Sequence, residues 1–374
     1  MKILIVGGCG KQAEPAINYL LEAKEFTDVI IGDINIGAAN ELVKVLQSPK
    51  ASALHIDILN HRALVDAIKS VDLVLNASGP YYKLGLKVLK AAIEAGKDYV
   101  DYCDDVEPTL EMLKLSDEAA KKGITAIVGL GASPGYTNLL AMQGAEQLDQ
   151  VDEVNMYWNI AKSEPEGPAV LDHMFHIMNG EVIQYLDGKS QKVQALTGLE
   201  ETVRMPKAAE PLPTAFVGHP EPVTLPYYLP EVKRVVCKYA DDIEQIRFFQ
   251  GLQALGLFDN KLVKVKEHLI SPRDLLVTQM MSLPYEDVPA EQRLSALVIE
   301  IKGIKEQKPM TVRYTGQGNM ASITSIPAAL GAQLLARGKI KLKGVFPPEA
   351  CVQPSDIIEP LLTMNLSILK TEII

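Results

Sequence analysis

Cysteine is scarce in this chain, and its four positions, Cys9, Cys103, Cys237 and Cys351, lie far apart without paired spacing. That excludes a disulfide framework or a cysteine-rich metal knuckle and points to reduced thiols in a cytoplasmic protein with no bound metal. Basic runs are also missing. With 37 Lys and Arg against 47 Asp and Glu, the formal net charge is −10, which argues against nucleic acid or an anionic membrane as a partner. No apolar run reaches the roughly 20 residues that span a bilayer, no signal-peptide pattern is visible at the amino terminus, and no long-period repeat occurs. What remains is ordinary globular material, 47% apolar and 22% charged. At 374 residues it is too long for one core, so two domains are expected.

The chain opens with an apolar run, Lys2-Ile3-Leu4-Ile5-Val6, short enough for a parallel strand buried on both faces. The turn Gly7-Gly8-Cys9-Gly10-Lys11-Gln12-Ala13 follows, and from Gly10 onward Ala13, Ala16, Ile17, Leu20 and Leu21 recur at helical spacing. Small residues at 7, 8 and 10 let the main chain come close to a pyrophosphate, whose charge suits the positive end of a helix. Pro15 falls at or just past the first helical turn, where a missing N–H is tolerated. A second strand, residues 28–33, ends on Asp33, placed for a carboxylate to accept hydrogen bonds from the adenosine ribose hydroxyls. No Lys or Arg lies between Asp33 and Asn40 to neutralise a 2′-phosphate, so NAD is expected over NADP. Gly-rich turns also join strands to helices in nucleotide-free folds; here the flanking strand, helix and acid favour the dinucleotide.

Strands over residues 52–57, 71–76, 98–102 and 125–128 alternate with helices, the last of these bracketed by Pro108 and Gly123. Six strands in this order predict a doubly wound parallel sheet, an α/β Rossmann domain over residues 1–130. Asp57, Ile58 and Ile34 fall where an adenosine rests, and Ala77, Ser78, Gly79 and Pro80 leave room for a ligand at the fourth strand's carboxyl end. Gly131, Pro134 and Gly135 mark a candidate hinge. Residues 131–374 then read as a second, α+β domain with a mixed sheet and helices on one face, its last helices packing back on the first domain. Val154, Met156, Trp158 and Ile160 predict a half-buried strand, residues 164–168 a loop, residues 169–178 a helix, and Asp187-Gly188 a hairpin turn.

Several pieces together resemble the saccharopine dehydrogenase-like family, which includes lysine 6-dehydrogenases. They are the Gly7-Gly8-Cys9-Gly10 turn, Asn76-Ala77-Ser78-Gly79-Pro80-Tyr81 followed by Asp98-Tyr99-Val100-Asp101, Gly131-Ala132-Ser133-Pro134-Gly135, and Gly344-Val345-Phe346-Pro347-Pro348-Glu349. The resemblance implies an NAD(P)-binding Rossmann domain, a second domain that closes over a small amino-acid substrate, and a homodimer. It implies oxidation of an amine to an imine that is hydrolysed, or the reverse. It also places Gly79, Pro80 and Asp101 to Asp104 near the nicotinamide half of the cofactor.

Such chemistry needs a proton acceptor, which favours histidine or a partly buried carboxylate. His173 and His176 lie three apart on the predicted helix, His219 lies on a loop, and Asp104 and Asp105 follow the fifth strand. For each, a structural or solvated role competes with the catalytic one, and for His173 and His176 so does metal ligation, although no cysteine or carboxylate series supplies a third ligand locally. Tyr81 either faces ligand or fills the core. For a substrate carboxylate the second-domain candidates are Arg234, Arg204, Arg247 and Arg313, each of which could instead form ion pairs. Tyr185 and Lys189 have the spacing of a short-chain reductase relay, but Asp187-Gly188 breaks the helix it requires. Three functions follow: an NAD-linked oxidoreductase on the C–N bond of an amino acid, a dinucleotide-binding regulatory protein without turnover, and a carbonyl or enoyl reductase.

Overall fold

Lys2–Val6 forms β1, buried from Ile3 onward, because the four consecutive apolar strand-forming residues Ile3 to Val6 leave no polar face to turn toward water. A computed structural model describes residues 1–161, 167–206, 208–284 and 294–374; residues 164–166 of the predicted 164–168 loop lie outside them. Two units divide the chain: Met1–Leu139 with Met320–Leu366, and Leu140–Asn319 with Ser367–Ile374.

In the first unit β1 is followed by β2 (Asp28–Asp33), β3 (Ala51–His55), β4 (Leu73–Asn76), β5 (Asp98–Asp101) and β6 (Thr125–Ile127). The sheet runs β6-β5-β4-β1-β2-β3, every pairing parallel, so strand order reverses at β1 as in a doubly wound fold. A seventh strand, Gly344–Phe346, pairs with β6. Three residues carry no readable period, which is why the sequence pattern stops at six.

The first helix is Glu14–Glu22 and starts four residues later than the apolar spacing suggests. Pro15 explains the delay: it sits in the opening positions, where its absent N–H would have had no partner. Where one helix is predicted between Pro108 and Gly123, two form, Val106–Leu113 and Ser116–Lys121.

The first unit also takes in a segment from far downstream. Met320–Ala336, far downstream, belongs to the first unit, where it packs on Glu14–Glu22: the Tyr19 hydroxyl donates to Gln333 Oε1 at 2.9 Å and Arg337 pairs with Glu25 at 2.8 Å. This helix is buried on nearly every side from Ile323 to Leu335, so it shows no polar stripe. Gly331 lets the helix lie close to Leu130, since a Cβ there would come within 2.4 Å of Leu130 Cδ2 and push that side chain aside.

The second unit holds a nine-stranded mixed sheet. Gln150–Asn159 lies inside it, parallel to Arg234–Ala240 on one side and antiparallel to Ser295–Lys305 on the other. The half-buried strand predicted here is therefore corrected: Asn155 through Trp158 are all buried. The second face is covered by Val203, Met205 and Ala208 with Leu212, which pack on Tyr157, Ala240, Ala296 and Val298. Glu181–Leu186 and Lys189–Gln194 form the predicted hairpin, with positive φ at both Asp187 and Gly188, as a tight two-residue turn demands. Among the described residues no helix is long and apolar enough to cross a membrane.

Candidate functional site

In the first unit the anticipated ligand-binding residues collect along one edge of the sheet. Gly7 to Gln12 follow β1, Asp33 and Ile34 close β2, Asp57 and Ile58 follow β3, Ala77 to Pro80 follow β4, and Asp101 closes β5, all at carboxyl ends. The turn after β1 is drawn tight: Gly7 and Gly8 both donate to Gly32 O, at 2.8 and 3.1 Å, and Gly10 donates to Gly7 O at 3.1 Å. Gly7 has φ +77°, and a Cβ on it would lie 2.7 Å from Ser78 Cα. The loops after the adjacent strands β1 and β4 can close on one another only because position 7 has no side chain.

Asp33 Oδ2 accepts the Cys9 N–H at 3.1 Å and Oδ1 accepts the Asn35 N–H at 2.9 Å, so the carboxylate is held at the strand tip beside the glycine turn. Burial, then the Asp33 charge, pushes the Cys9 thiol up to about 11, which keeps it a neutral thiol. Ile34 is 66% exposed, and Asp57 and Ile58 are half-buried. A cradle cleared of side chains, with an acid fixed at its rim, fits the pyrophosphate and the ribose of a dinucleotide.

The loops after β4 and β5 are tied by a buried polar network. Asn76 Nδ2 donates to the Tyr99 hydroxyl at 3.0 Å, and that hydroxyl donates to Asp101 Oδ2 at 2.6 Å. Asp101 Oδ1 accepts from the N–H groups of Cys103 and Gly129 at 3.0 and 2.7 Å, and Asn76 Oδ1 accepts from Ser78. Asp101, anticipated beside the cofactor, thus shapes three ligand loops through inward bonds. Tyr81, anticipated at the substrate, is buried with its hydroxyl donated to Asn76 O at 2.7 Å.

Burial pushes the Asp101 carboxyl up from 3.8 to about 6, against the lowering effect of its Tyr99 and amide donors. A carboxyl raised in the folded state contributes stability below pH 4, which is lost as pH rises through 6, a change of about 3 kcal/mol. The melting temperature of the wild type should therefore fall relative to that of Asp101→Asn between pH 4 and 7.5. Parallel melting curves across that range would show that this carboxyl does not titrate there.

The turn containing Gly131, Pro134 and Gly135, the candidate hinge, is closed on itself. Gly131 N donates to Pro134 O at 2.9 Å, Tyr136 N to Gly131 O at 2.8 Å, and Gly135 N to Asn138 Oδ1 at 2.9 Å. Asn138 Nδ2 in turn reaches Glu349 Oε2 at 3.0 Å. Asp104 is half-buried, whereas its neighbour Asp105 is fully buried and accepts the Tyr82 N–H at 2.8 Å, fixing the start of the helix Tyr81–Ala95.

Three further candidates belong to the second unit. His219 is 4% exposed, and its Nδ1 lies 3.1 Å from Oε2 of a fully buried Glu221. The His173 ring meets His219 edge-on at 5.7 Å, and Trp158 stands 5.8 Å away on a tilted plane. His176 is only half-buried, so the two helical histidines do not share one environment. Cys237 also joins the group: ligand atoms of His219, Glu221 and Cys237 lie within 4.8 Å of one another. These atoms bond within the cluster, His219 to Glu221 and Cys237 Sγ to the Trp158 indole N–H at 3.3 Å. The arrangement is suited to holding and passing a proton. Trp158, Glu221 and Cys237 escaped the sequence reading; the acid two residues past His219 was the only local signal, since Cys237 comes from a later strand.

Arg234 does not present an open fork. Its Nη2 contacts both Glu201 oxygens at 2.7 and 2.8 Å and its Nε reaches Asn155 at 2.7 Å. Glu201 also holds Lys238, which is buried over the Phe216 ring.

The model of the saccharopine dehydrogenase NADP binding domain matches residues 3–127, and that of the saccharopine dehydrogenase C-terminal domain matches residues 131–365. Among curated relatives, carboxyaminopropylagmatine dehydrogenase of Synechocystis sp. is 24% identical over 98% of this chain and 96% of its own. Carboxynorspermidine synthase of Vibrio cholerae is 21% identical with the same coverage. Apo saccharopine dehydrogenase (L-Glu forming) from Saccharomyces cerevisiae shares the fold at TM-score 0.74 and 17% identity, over 100% of this chain and 99% of that one.

Proposed function

The chain belongs to the saccharopine dehydrogenase family, and from that premise we propose that it is an NAD-dependent oxidoreductase acting on the C–N bond of a carboxyalkyl amine. The substrate is an amino acid or a polyamine bearing a carboxyalkyl group on nitrogen. Oxidation removes hydride from carbon and a proton from nitrogen, and the resulting imine takes up water and splits into a carbonyl compound and an amine. The reverse direction is reductive condensation. What carries this reading is that relatives matching 98% of the chain bear the names of two carboxy-substituted polyamines.

When bound, the dinucleotide accepts or supplies the hydride. Asp33 accepts its ribose hydroxyls, and the turn at Gly7, Gly8 and Gly10 admits its pyrophosphate. Although the matching domain model is named for NADP, no basic residue from Ile34 to Ala39 offers a counter-charge to a 2′-phosphate, and a carboxylate there repels one. NAD is therefore the preferred cofactor. His219 takes the proton from the substrate nitrogen, and Glu221 holds the imidazole in one orientation. Trp158 and His173 wall the imidazole from water.

The reading is tested by following reduced nicotinamide in both directions with carboxynorspermidine, carboxyaminopropylagmatine, saccharopine and lysine. Turnover of at least one secondary amine at roughly ten times the rate of lysine is expected, a difference of about 1.4 kcal/mol in transition-state binding. Silence across the panel, with NAD still raising the melting temperature, would instead leave a dinucleotide-binding protein without turnover.

A further inference from the structure

The segment that carries His219 leaves its sheet at an irregular place. Leu212–Phe216 runs antiparallel to Arg234–Ala240, with Ala215 opposite Tyr239 and Phe216 opposite Lys238. One residue further, a regular ladder would set Val217 against Cys237 and exchange two backbone bonds between them. Only one forms, Val217 N to Cys237 O, and it is stretched to 3.4 Å. The side-chain amide of Gln184 takes the place of the other: its Nε2 donates to Val217 O at 2.7 Å, and its Oε1 accepts the Cys237 N–H at 3.0 Å.

A primary amide carries the same donor and acceptor as a peptide group, so it can stand between two strands, hold them apart and still satisfy both. Gln184 is fully buried, which shields each of these bonds from water. Both residues it grips adjoin the histidine cluster. Val217 lies two residues before His219, and the Cys237 thiol belongs to the group formed with His219 and Glu221. Between Val217 and His219, the Gly218 N–H is tied to Ile177 O at 2.9 Å. We infer that Gln184 is a positioning residue for proton transfer: its amide opens the ladder where the chain turns out of the sheet, and so fixes where the His219 imidazole stands beside Glu221. The inference rests on the reading of His219 as proton acceptor and adds a residue that the sequence did not single out.

Gln184→Met keeps the length of the side chain and removes both polar atoms; Gln184→Asn keeps the amide but is one methylene too short to span both groups. Each is made in the full-length protein, alone and combined with His219→Asn. Turnover is followed with whichever of carboxynorspermidine, carboxyaminopropylagmatine and saccharopine the wild type oxidises fastest. The expected result is a kcat about tenfold to a hundredfold lower, NAD affinity within about twofold of wild type, and less than about a twofold further loss in the His219→Asn background. Should Gln184→Met not fold, Gln184→Asn carries the same comparison. A lowered melting temperature with kcat within about threefold of wild type would show that Gln184 serves the fold alone, and losses that multiply with that of His219→Asn would show that it acts through some other group; either overturns the inference and leaves His219 in its role. If His219→Asn itself turns over like wild type, or the wild type oxidises none of the three amines, the proton-acceptor reading fails and this inference falls with it.

Discussion

Asp33→Ser is expected to weaken NAD at least tenfold while leaving NADP unchanged or tighter. The carboxylate is held in place before any ligand arrives: the Cys9 and Asn35 amides fix its two oxygens, and further lone pairs remain for ribose hydroxyls. Two hydrogen bonds from hydroxyls to a charged acceptor are together worth several kcal/mol, of which serine recovers a part. With NADP the sign reverses, because the acid faces a phosphate and its removal relieves repulsion between like charges. The ratio of the two dissociation constants is the decisive quantity, since a general loosening of the glycine turn would weaken both cofactors together. Equal losses for NAD and NADP would show that Asp33 does not touch the ribose.

His219→Asn is expected to lower kcat by about 10² to 10⁴ with less than about a twofold change in NAD affinity. Asparagine retains one polar contact for Glu221 but cannot accept and release a proton near neutral pH. Glu221→Gln should show a smaller loss, about tenfold to a hundredfold, because the imidazole survives and loses its anchor. The fully buried position of Glu221 makes the glutamine form the informative variant, since it preserves volume and hydrogen bonding while removing charge. If His219→Asn turned over within about threefold of wild type, the proton would have to leave by another group, with Asp104 the next to test.

The nucleotide edge was legible from sequence because each of its parts is local. A strand, a turn of small residues and a terminal acid all lie between Lys2 and Asp33, and the hydrogen bonds within the turn join residues that the fingerprint already names. The second unit resisted reading for the opposite reason. His219 could be noticed alone, but Trp158 on one strand and Cys237 on another gain meaning only after the sheet sets those strands side by side. Burial of Tyr157 broke the alternation rule for a similar reason, since Val203, Met205, Ala208 and Leu212 cover what the pattern took for a solvent face. Arg234 looked available from sequence and proves tied to Glu201, a partner well upstream that no spacing rule connects to it.

The return of Met320–Ala336 to the first unit has a consequence for biosynthesis. The helix that seats against Leu130 and Glu14–Glu22 is translated only after the whole intervening unit. A nascent chain that has just emerged past residue 139 therefore carries a nucleotide sheet with one flank bare, and it must wait for the ribosome to deliver nearly 200 more residues before that flank is sealed. Expressing residues 1–139 alone should for the same reason give an aggregation-prone fragment, whereas joining them by a short linker to residues 320–366 supplies the missing cover.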